Sequence, residues 1–121
     1  MTWKLDSDRP IYAQLLELIQ MRIISGHYPA GSRLPSVREL AAEAGVNPNT
    51  MQKAFSELER NGLIWTQRTA GRFVTQDKEL IECLRQSLAK KHLHQFFHNM
   101  RQLGYESEEI LSFLKAEYEE G

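Results

Sequence analysis

The stretch "GVNPNTMQKAF", residues 45–55, contains the pattern that decides the fold of this chain. Asn47 is a good N-cap, because its side-chain oxygen can accept a hydrogen bond from a free backbone N–H of the first turn. Pro48 falls on the first helical position, where a missing N–H has no cost and the fixed φ suits a helix. We therefore predict a helix that begins at Asn47, runs to about Arg60 and ends before Gly62.

A shorter helix precedes this one. In "SVRELAAEAG", residues 36–45, Ser36 is followed three residues later by Glu39, which is the spacing of a capping box. The connection "EAGVN" is short and contains a glycine, so the two helices are joined by a tight turn. This order is typical of a helix-turn-helix.

The flanking segments extend the motif to a winged helix-turn-helix. In "RPIYAQLLELIQMRIISG", apolar residues recur at helical spacing between Pro10, expected at the first helical position, and Gly26, a helix stop. The segments "LIWTQ" and "RFVT" are rich in strand formers and are separated by "RTAG", which predicts a β-hairpin. The predicted fold class is therefore mostly α-helical, with a small hairpin as the wing.

Two helices are predicted after the hairpin. Residues 77–103 contain no helix breaker, Gly104 ends this long helix, and Ser107 is expected to cap the next one. We predict a winged helix-turn-helix domain over residues 1–76 and a helical dimerisation tail over residues 77–121.

Composition and charge exclude several classes of protein. The 121 residues suit one compact domain or a small domain with an appendage, and no apolar run is long enough for a signal peptide or a membrane span. The single cysteine, Cys83, fits a reducing cytoplasm.

Residues 1–76 carry nine Lys/Arg and seven Asp/Glu, a net +2, whereas residues 77–121 carry six and nine, a net −3. A polyanionic partner is therefore expected to meet the first part.

The predicted third helix has two chemically different faces when it is projected at 100° per residue. The side expected to face the core consists of Met51, Ala54, Phe55 and Leu58. The opposite side consists of Asn49, Gln52, Lys53 and Ser56. Amide side chains can bond bidentately to adenine in the major groove, lysine can reach guanine or a phosphate, and Thr50 at the border is placed for a phosphate. We interpret this helix as a DNA recognition helix; the alternative is a solvated face that contacts only water.

Residues next to this helix favour the same interpretation. Ser36 opens helix two, whose N-terminal N–H groups can bind a DNA phosphate, and Arg38 can lie against the DNA backbone. Arg68, Gly71 and Arg72 surround the hairpin turn, which predicts two guanidinium groups at the wing tip and an arginine able to enter a minor groove. The alternative at either arginine is a charged, solubilising turn.

Four segments in order, "GSRLPSVRELA", "GVNPNTMQKAF", "LERNGLI" and "AGRFV", resemble the GntR family of bacterial transcription regulators, and the resemblance covers about residues 6–75. The remainder, including "LGYESEEILSFLK", is similar to the short helical tail of the YtrA subfamily. The resemblance implies that the tail serves for dimerisation and that the regulated genes include an adjacent transporter operon. It also implies base or phosphate contacts at Arg38, Asn47, Asn49, Thr50, Gln52 and Gly71.

The sequence departs from the family pattern in the third helix and in the wing. Pro48 and Gln52 stand where relatives commonly have arginine, and "TAGR" replaces the usual Gly-x-Gly-Thr. The operator sequence of a relative is therefore not expected to transfer. The full set of predicted DNA-binding residues is Arg33, Ser36, Arg38, Asn47, Asn49, Thr50, Gln52, Lys53, Arg68, Gly71 and Arg72.

The long helix carries two apolar stripes that are rotated relative to each other. The first consists of Leu80, Ile81, Leu84 and Leu88 and is expected to pack on the winged domain. The second is expected to pack on another subunit; the alternative is a kinked helix that folds back on its own chain. The predicted dimerisation residues are Leu93, Phe96, Phe97, Met100, Leu103, Ile110 and Leu114.

These features predict a cytoplasmic homodimer that binds a palindromic operator in double-stranded DNA as a repressor, with the existence of a small-molecule effector left open. The second hypothesis is a winged helix that contacts proteins, but the amide and lysine face argues against it. No arrangement of nucleophile, base or phosphate-binding glycine loop indicates an enzyme. His94 and His98 are four residues apart and form at most a partial zinc site, so no metal or cofactor is expected.

Overall fold

The computed structural model describes residues 3–120, which form two compact units that meet in sequence between Leu84 and Arg85. The elements are α1 (Ile11–Ile24), α2 (Val37–Ala44), α3 (Pro48–Arg60), β1 (Ile64–Gln67), β2 (Gly71–Val74), α4 (Lys78–Gln102) and α5 (Ser107–Glu120). The predicted fold class, mostly helical with one antiparallel hairpin, is confirmed. A DNA-binding domain that ends at residue 76 stays a prediction.

Helix α3 is at the centre of the first unit, where it packs against α1, α2 and β1. The residues predicted for its apolar side are all completely buried: Met51, Ala54, Phe55 and Leu58. Leu15 and Ile19 of α1 and Leu40 of α2 are equally buried in the same core. Burial of a large apolar side chain stabilises a fold by roughly 1.5–3 kcal/mol, so this core fixes the direction of the polar side of α3.

Local capping bonds start α2 and α3 where the sequence predicts. Ser36 Oγ accepts a hydrogen bond from the Glu39 N–H (3.1 Å), and Asn47 Oδ1 accepts one from the Asn49 N–H (2.7 Å). Gly45 ends α2 at a φ of 73°, a left-handed conformation that glycine adopts at little cost. The turn between the two helices is therefore determined by local residue types.

Two predicted helix starts are wrong by one residue. Pro10 lies outside α1 as its N-cap, with a ψ of 129°, because the helix begins at Ile11. Ser107 is the first residue of α5 rather than its cap, and the N–H of Glu106 donates to Glu109 Oε1 (3.0 Å). The first residue of a helix and the capping residue before it are adjacent, and sequence alone does not decide which of the two roles Pro10 or Ser107 takes.

The wing is an antiparallel hairpin in which Trp65 pairs with Phe73 and Thr66 pairs with Arg72. Because side chains alternate along a strand, these two pairs lie on opposite faces of the hairpin. The rings of Trp65 and Phe73 are stacked, with their centroids 4.9 Å apart. The Thr66–Arg72 pair therefore lies on the other face, the one that contacts α3.

The loop before α2 adds a further line of backbone hydrogen bonds on the free side of β2. The Val74 N–H donates to the Ser32 carbonyl (2.9 Å), and the Leu34 N–H donates to the Arg72 carbonyl (2.8 Å). The sequence predicted only a connection here, because its glycine and prolines are typical of loops. The wing is thus hydrogen-bonded to the segment that leads into the helix-turn-helix.

An arginine is buried inside the first unit. The guanidinium of Arg22 donates to Tyr28 Oη (2.6 Å), lies 4.2 Å from the centroid of the Trp3 ring and is 3.6 Å from the Glu43 carboxylate. A buried charge is tolerated only with such partners. This cluster connects the N-terminal segment with α1 and α2, and nothing in the sequence pattern predicted it.

The first turns of α4 belong to the first unit. Leu80, Ile81 and Leu84 are partly buried against its core, which agrees with the prediction for these three residues of the first apolar stripe; the fourth, Leu88, belongs to the second unit. Asp77 Oδ1 accepts from the Leu80 N–H (3.1 Å) and so caps α4, which continues without a break to Gln102. Within residues 3–120, no helix combines the length and the apolar character needed to cross a membrane.

The second unit buries little of its apolar surface. Ile110 is completely buried, and Phe96 and Phe97 are half-buried, with their ring centroids 5.7 Å apart in an edge-to-face contact. Leu93 and Leu103 are 51% and 73% exposed. The other exposed large apolar residues of this unit are Leu111, Phe113, Leu114 and Tyr118.

Candidate nucleic-acid interface

The polar side of α3 is exposed to solvent. Asn49, Gln52, Lys53 and Ser56 are all exposed, whereas Thr50 is half-buried at the border, as the projection predicted. The amphipathic arrangement is therefore confirmed, and hydrogen-bonding groups are concentrated in the first two turns of the helix. In a recognition helix, the N-terminal residues are the ones that contact base edges.

The caps of α2 and α3 limit what their side chains can offer to a ligand. The amide oxygen of Asn47 and the hydroxyl oxygen of Ser36 each accept a backbone N–H. Asn47 therefore offers chiefly its amide N–H groups, and Ser36 its hydroxyl proton. Both remaining groups are donors, which suits phosphate oxygens or base acceptors.

Lys53 is held by a residue of α1. Its Nζ lies 3.9 Å from the centroid of the Tyr12 ring, which is the geometry of a cation–π contact. The Nζ group carries N–H donors that can reach a ligand from this position. The contact restricts the lysine to one side of α3, a restriction that the sequence did not predict.

The arginines of the first unit fall into two groups. Arg9, Arg22, Arg60 and Arg72 each form an ion pair with a glutamate. Within the part of the chain that the structure describes, Arg33, Arg38 and Arg68 form none, and all three are exposed. These three guanidinium groups lie before α2, in α2 and in the hairpin turn, and they are available to neutralise an anion.

Arg33 lies directly against the wing glycine. A Cβ added to Gly71 would be 3.0 Å from Arg33 Nε, and the φ of Gly71 is +103°. The backbone conformation therefore favours glycine, and any Cβ at this position would displace the guanidinium of Arg33. Gly71 places Arg33 beside the hairpin turn that contains Arg68.

Arg72 does not lie at the wing tip, so the prediction of two guanidinium groups there is wrong. It is in strand β2, where its Nε donates to Glu59 Oε1 (3.2 Å) and its Nη2 donates to Gln52 Oε1 (3.4 Å), both on α3. Thr66, its partner across the hairpin, donates to the same Glu59 oxygen (2.6 Å). Only Arg68 of the two arginines is in the turn.

Glu59 and Thr66 were missed by sequence analysis. The hairpin register would have identified Thr66 as the cross-strand neighbour of Arg72, once the "RTAG" turn is recognised. Glu59 lies seven residues after Gln52, which puts both on one side of α3. No local signal indicates that the wing arginine crosses to this helix.

The predicted weak metal candidates do not form a cluster. His94 and His98 are exposed. Among the described residues, no three His, Cys, Asp or Glu side chains are close enough together to hold a metal ion.

The geometry of the first unit defines a class of protein. A helix-turn-helix with a capped, polar third helix, a hairpin docked beside it and unpaired arginines on the flanking elements is a DNA-binding winged helix-turn-helix. The basic groups and the amide donors occupy adjacent elements, which is the arrangement required to contact phosphates and base edges together.

Comparisons with known proteins agree with this class. The sequence model described as "Bacterial regulatory proteins, gntR family" matches residues 11–74. The chain is 38% identical to the uncharacterised HTH-type transcriptional regulator YhcF of Bacillus subtilis, over 95% of each chain. A solved GntR family transcriptional regulator from Listeria monocytogenes has a TM-score of 0.85 at 41% identity, covering 93% of this chain and 98% of that one. The chain therefore belongs to the GntR family of bacterial transcription regulators.

The resemblance to the YtrA branch is also confirmed. The chain is 35% identical to the HTH-type transcriptional repressor YtrA of Bacillus subtilis, over 90% of this chain and 85% of that protein. The match covers 111 residues, so it extends beyond the winged domain into the helical tail.

Proposed function

We propose that this protein is a cytoplasmic transcriptional repressor that binds a palindromic operator as a homodimer, with one α3 in the major groove of each half-site. The observation that carries the proposal is the structure of α3. Its apolar side is completely buried, while Asn49, Gln52 and Lys53 are exposed on the opposite side near its N-terminus. Repression is supported by the 35% identity to a protein named as a repressor.

The unpaired arginines complete the proposed contact surface. Arg38 is on α2, which crosses the DNA backbone when the next helix enters the groove. Arg33 and Arg68 lie beside and within the hairpin turn, where they are placed for phosphates or for an adjacent minor groove. The ion-paired arginines are less available, because a DNA phosphate would have to displace a glutamate.

The homodimer is supported by the second unit. Leu93, Leu103 and Leu114 of the predicted interface are exposed in the single chain, and so are Leu111 and Phe113. Exposed apolar surface of this extent is typical of an interaction site. Ile110 is already buried within the single chain, so in this proposal it supports the unit internally while its exposed neighbours meet the second copy.

We further propose that the regulated genes include a transporter operon and that the operator lies upstream of the protein's own gene. A fragment of that upstream DNA is the first probe for binding. Footprinting on this fragment is expected to protect an inverted repeat with half-sites about one helical turn apart. Protection without any two-fold symmetry would contradict the homodimeric mode of binding.

Substitution of one unpaired arginine and one ion-paired arginine tests the DNA contact. Arg38→Ala is expected to weaken binding to all DNA sequences and to reduce the dependence of log affinity on log salt by about one phosphate contact. Arg60→Ala is the matched control, because Arg60 is exposed on α3 but is paired with Glu57 (2.9 Å). Titrations at several salt concentrations measure both. If Arg38→Ala and Arg60→Ala have the same affinity and the same salt dependence, the proposed placement of α2 against the DNA backbone is contradicted.

Asn49→Ala tests base recognition separately. It is expected to weaken binding to the operator by roughly 1–3 kcal/mol, the value of one bidentate base contact, while binding to unrelated DNA stays nearly unchanged. If the winged helix contacts proteins instead of DNA, the affinity for the operator and the affinity for unrelated DNA are both expected to be low and insensitive to salt.

A further inference from the structure

The contacts of Gln52 determine which way its side-chain amide points. A guanidinium group has no acceptor, so only the amide oxygen of Gln52 can face Arg72 Nη2 at 3.4 Å. On the other side, Ser56 Oγ donates its proton to the Gln52 backbone carbonyl (3.0 Å) and accepts from Gln52 Nε2 (3.4 Å). The donor and the acceptor of each of these hydrogen bonds are therefore determined, so the Gln52 amide has only one orientation.

Arg72 is itself held in place by Glu59 and by the ring of Phe55. Its Nε donates to Glu59 Oε1 (3.2 Å), and Thr66 Oγ1 donates to that same oxygen (2.6 Å). The carbon of the guanidinium lies 5.4 Å from the centroid of the buried Phe55 ring. The side chain of Arg72 is only 26% exposed, so the wing presents a positioned arginine to the recognition helix rather than a mobile one.

We propose that Arg72 is a positioning residue for base recognition: by occupying the carbonyl oxygen of Gln52, it makes this side chain select guanine over adenine. The inference rests on the proposed function, in which α3 enters the major groove. It replaces the sequence-based expectation that the Gln52 amide is free to bond bidentately to adenine.

The selectivity follows from which groups stay free. With its oxygen occupied, Gln52 offers one N–H, and Arg72 offers the three N–H groups that contact neither Glu59 nor Gln52. The pair therefore offers four N–H groups against the one lone pair that Arg72 leaves on the Gln52 oxygen, so donors predominate. In the major groove, guanine presents two acceptors, N7 and O6, whereas adenine presents the acceptor N7 beside the N6 donor group. A surface rich in donors matches guanine, whereas the N6 group of adenine would have to share the Gln52 oxygen that already accepts from Arg72.

Selection of bound duplexes from a pool of random double-stranded DNA tests the proposal with the full-length protein. The base pair read by Gln52 is the position at which Gln52→Ala loses its base preference. There the wild type is expected to enrich guanine. Arg72→Met keeps an aliphatic stem against Phe55 but has no N–H group, and it is expected to shift the ratio of guanine to adenine about tenfold toward adenine, within the range for one bidentate contact.

Two further variants separate positioning from a general loss of binding. Arg68→Met removes a wing arginine that makes no ion pair with any described residue, and it is expected to lower affinity for all sequences without changing the base ratio. In the Gln52→Ala background, Arg72→Met is expected to have no further effect on the base ratio at that position. Glu59→Gln, which weakens the anchor of Arg72 without touching Gln52, is expected to shift the ratio in the same direction by a smaller factor.

The outcomes are distinct. Guanine retained at this position in both Arg72→Met and Glu59→Gln would overturn the inference, and so would adenine selected by the wild type. An equal loss of affinity for all sequences in Arg72→Met, as in Arg68→Met, would show that Arg72 contacts only phosphates and would overturn it as well. If the wild type enriches no sequence, the proposed function itself fails.

Discussion

In residues 3–84, Leu15, Ile19 and Phe55 are completely buried, whereas in residues 85–120 Leu103, Leu111 and Tyr118 are largely exposed. The first unit does carry two exposed large apolar residues, Met21 and Trp65, but these are single residues at its surface. Its core supplies its own stability. The second unit has one completely buried apolar side chain, Ile110, among its described residues. The difference shows that the first unit buries its apolar residues within one chain, and it supports the proposal that a second copy covers those of the tail.

The largest effect is expected in the core of the first unit. Phe55→Ala removes a completely buried ring from α3 and is expected to lower the free energy of unfolding by about 3–5 kcal/mol. Both tryptophans, Trp3 and Trp65, are in this unit, so urea denaturation followed by tryptophan fluorescence reports it directly. Phe113→Ala in the second unit is the control and is expected to leave this transition unchanged. A similar loss of unfolding free energy in Phe55→Ala and Phe113→Ala would contradict the distinction between the two units.

An intermediate effect is expected from the tail. Leu103→Asp with Leu114→Asp places charges on exposed apolar positions and is expected to give a monomer in sedimentation equilibrium. Operator affinity is then expected to fall about a hundredfold, because the two half-sites are no longer bound together. Asn99→Asp with Ser112→Asp adds the same charge at exposed polar positions and is expected to remain dimeric. If the leucine variant also sediments as a dimer, the interface lies in the winged domain.

The smallest effect concerns the junction of the wing with the loop before α2. Gly71→Ala and Gly26→Ala both place alanine at a positive φ, which costs about 1 kcal/mol of stability. Only at Gly71 does the new Cβ displace Arg33; at Gly26 nothing lies within 4 Å. Thermal melts are expected to fall similarly in both variants, while operator affinity falls only in Gly71→Ala. Equal affinities would mean that the position of Arg33 does not matter for DNA binding.

The sequence predicted those features that depend on neighbouring residues. Ser36 and Asn47 start their helices through bonds to the first turn, and Met51 and Phe55 are buried because helical spacing puts them on the same side. Such signals span a few residues, so they can be recognised without knowledge of the fold. For the same reason the division of α3 into a buried apolar side and an exposed polar side was predicted correctly.

Contacts between distant residues were not predicted. Arg72 reaches Gln52 from twenty positions away, and Lys53 lies on Tyr12 of a different helix. The backbone pairing of Ser32 with Val74 was hidden by a sequence that is typical of a loop. These contacts depend on how the elements pack, and they decide which of the exposed polar groups are free to bind a ligand.

The pairing of the loop before α2 with β2 also affects the tendency of the wing to aggregate. Because the segment around Ser32 and Leu34 covers one side of β2, the open edge among the described strands is that of β1. An open edge can recruit a strand from another molecule, but β1 is four residues long, about 13 Å, and contains polar residues. A loop that was expected only to connect two helices thus removes one of the two edges at which chains would polymerise, and it leaves the other too short for stable addition.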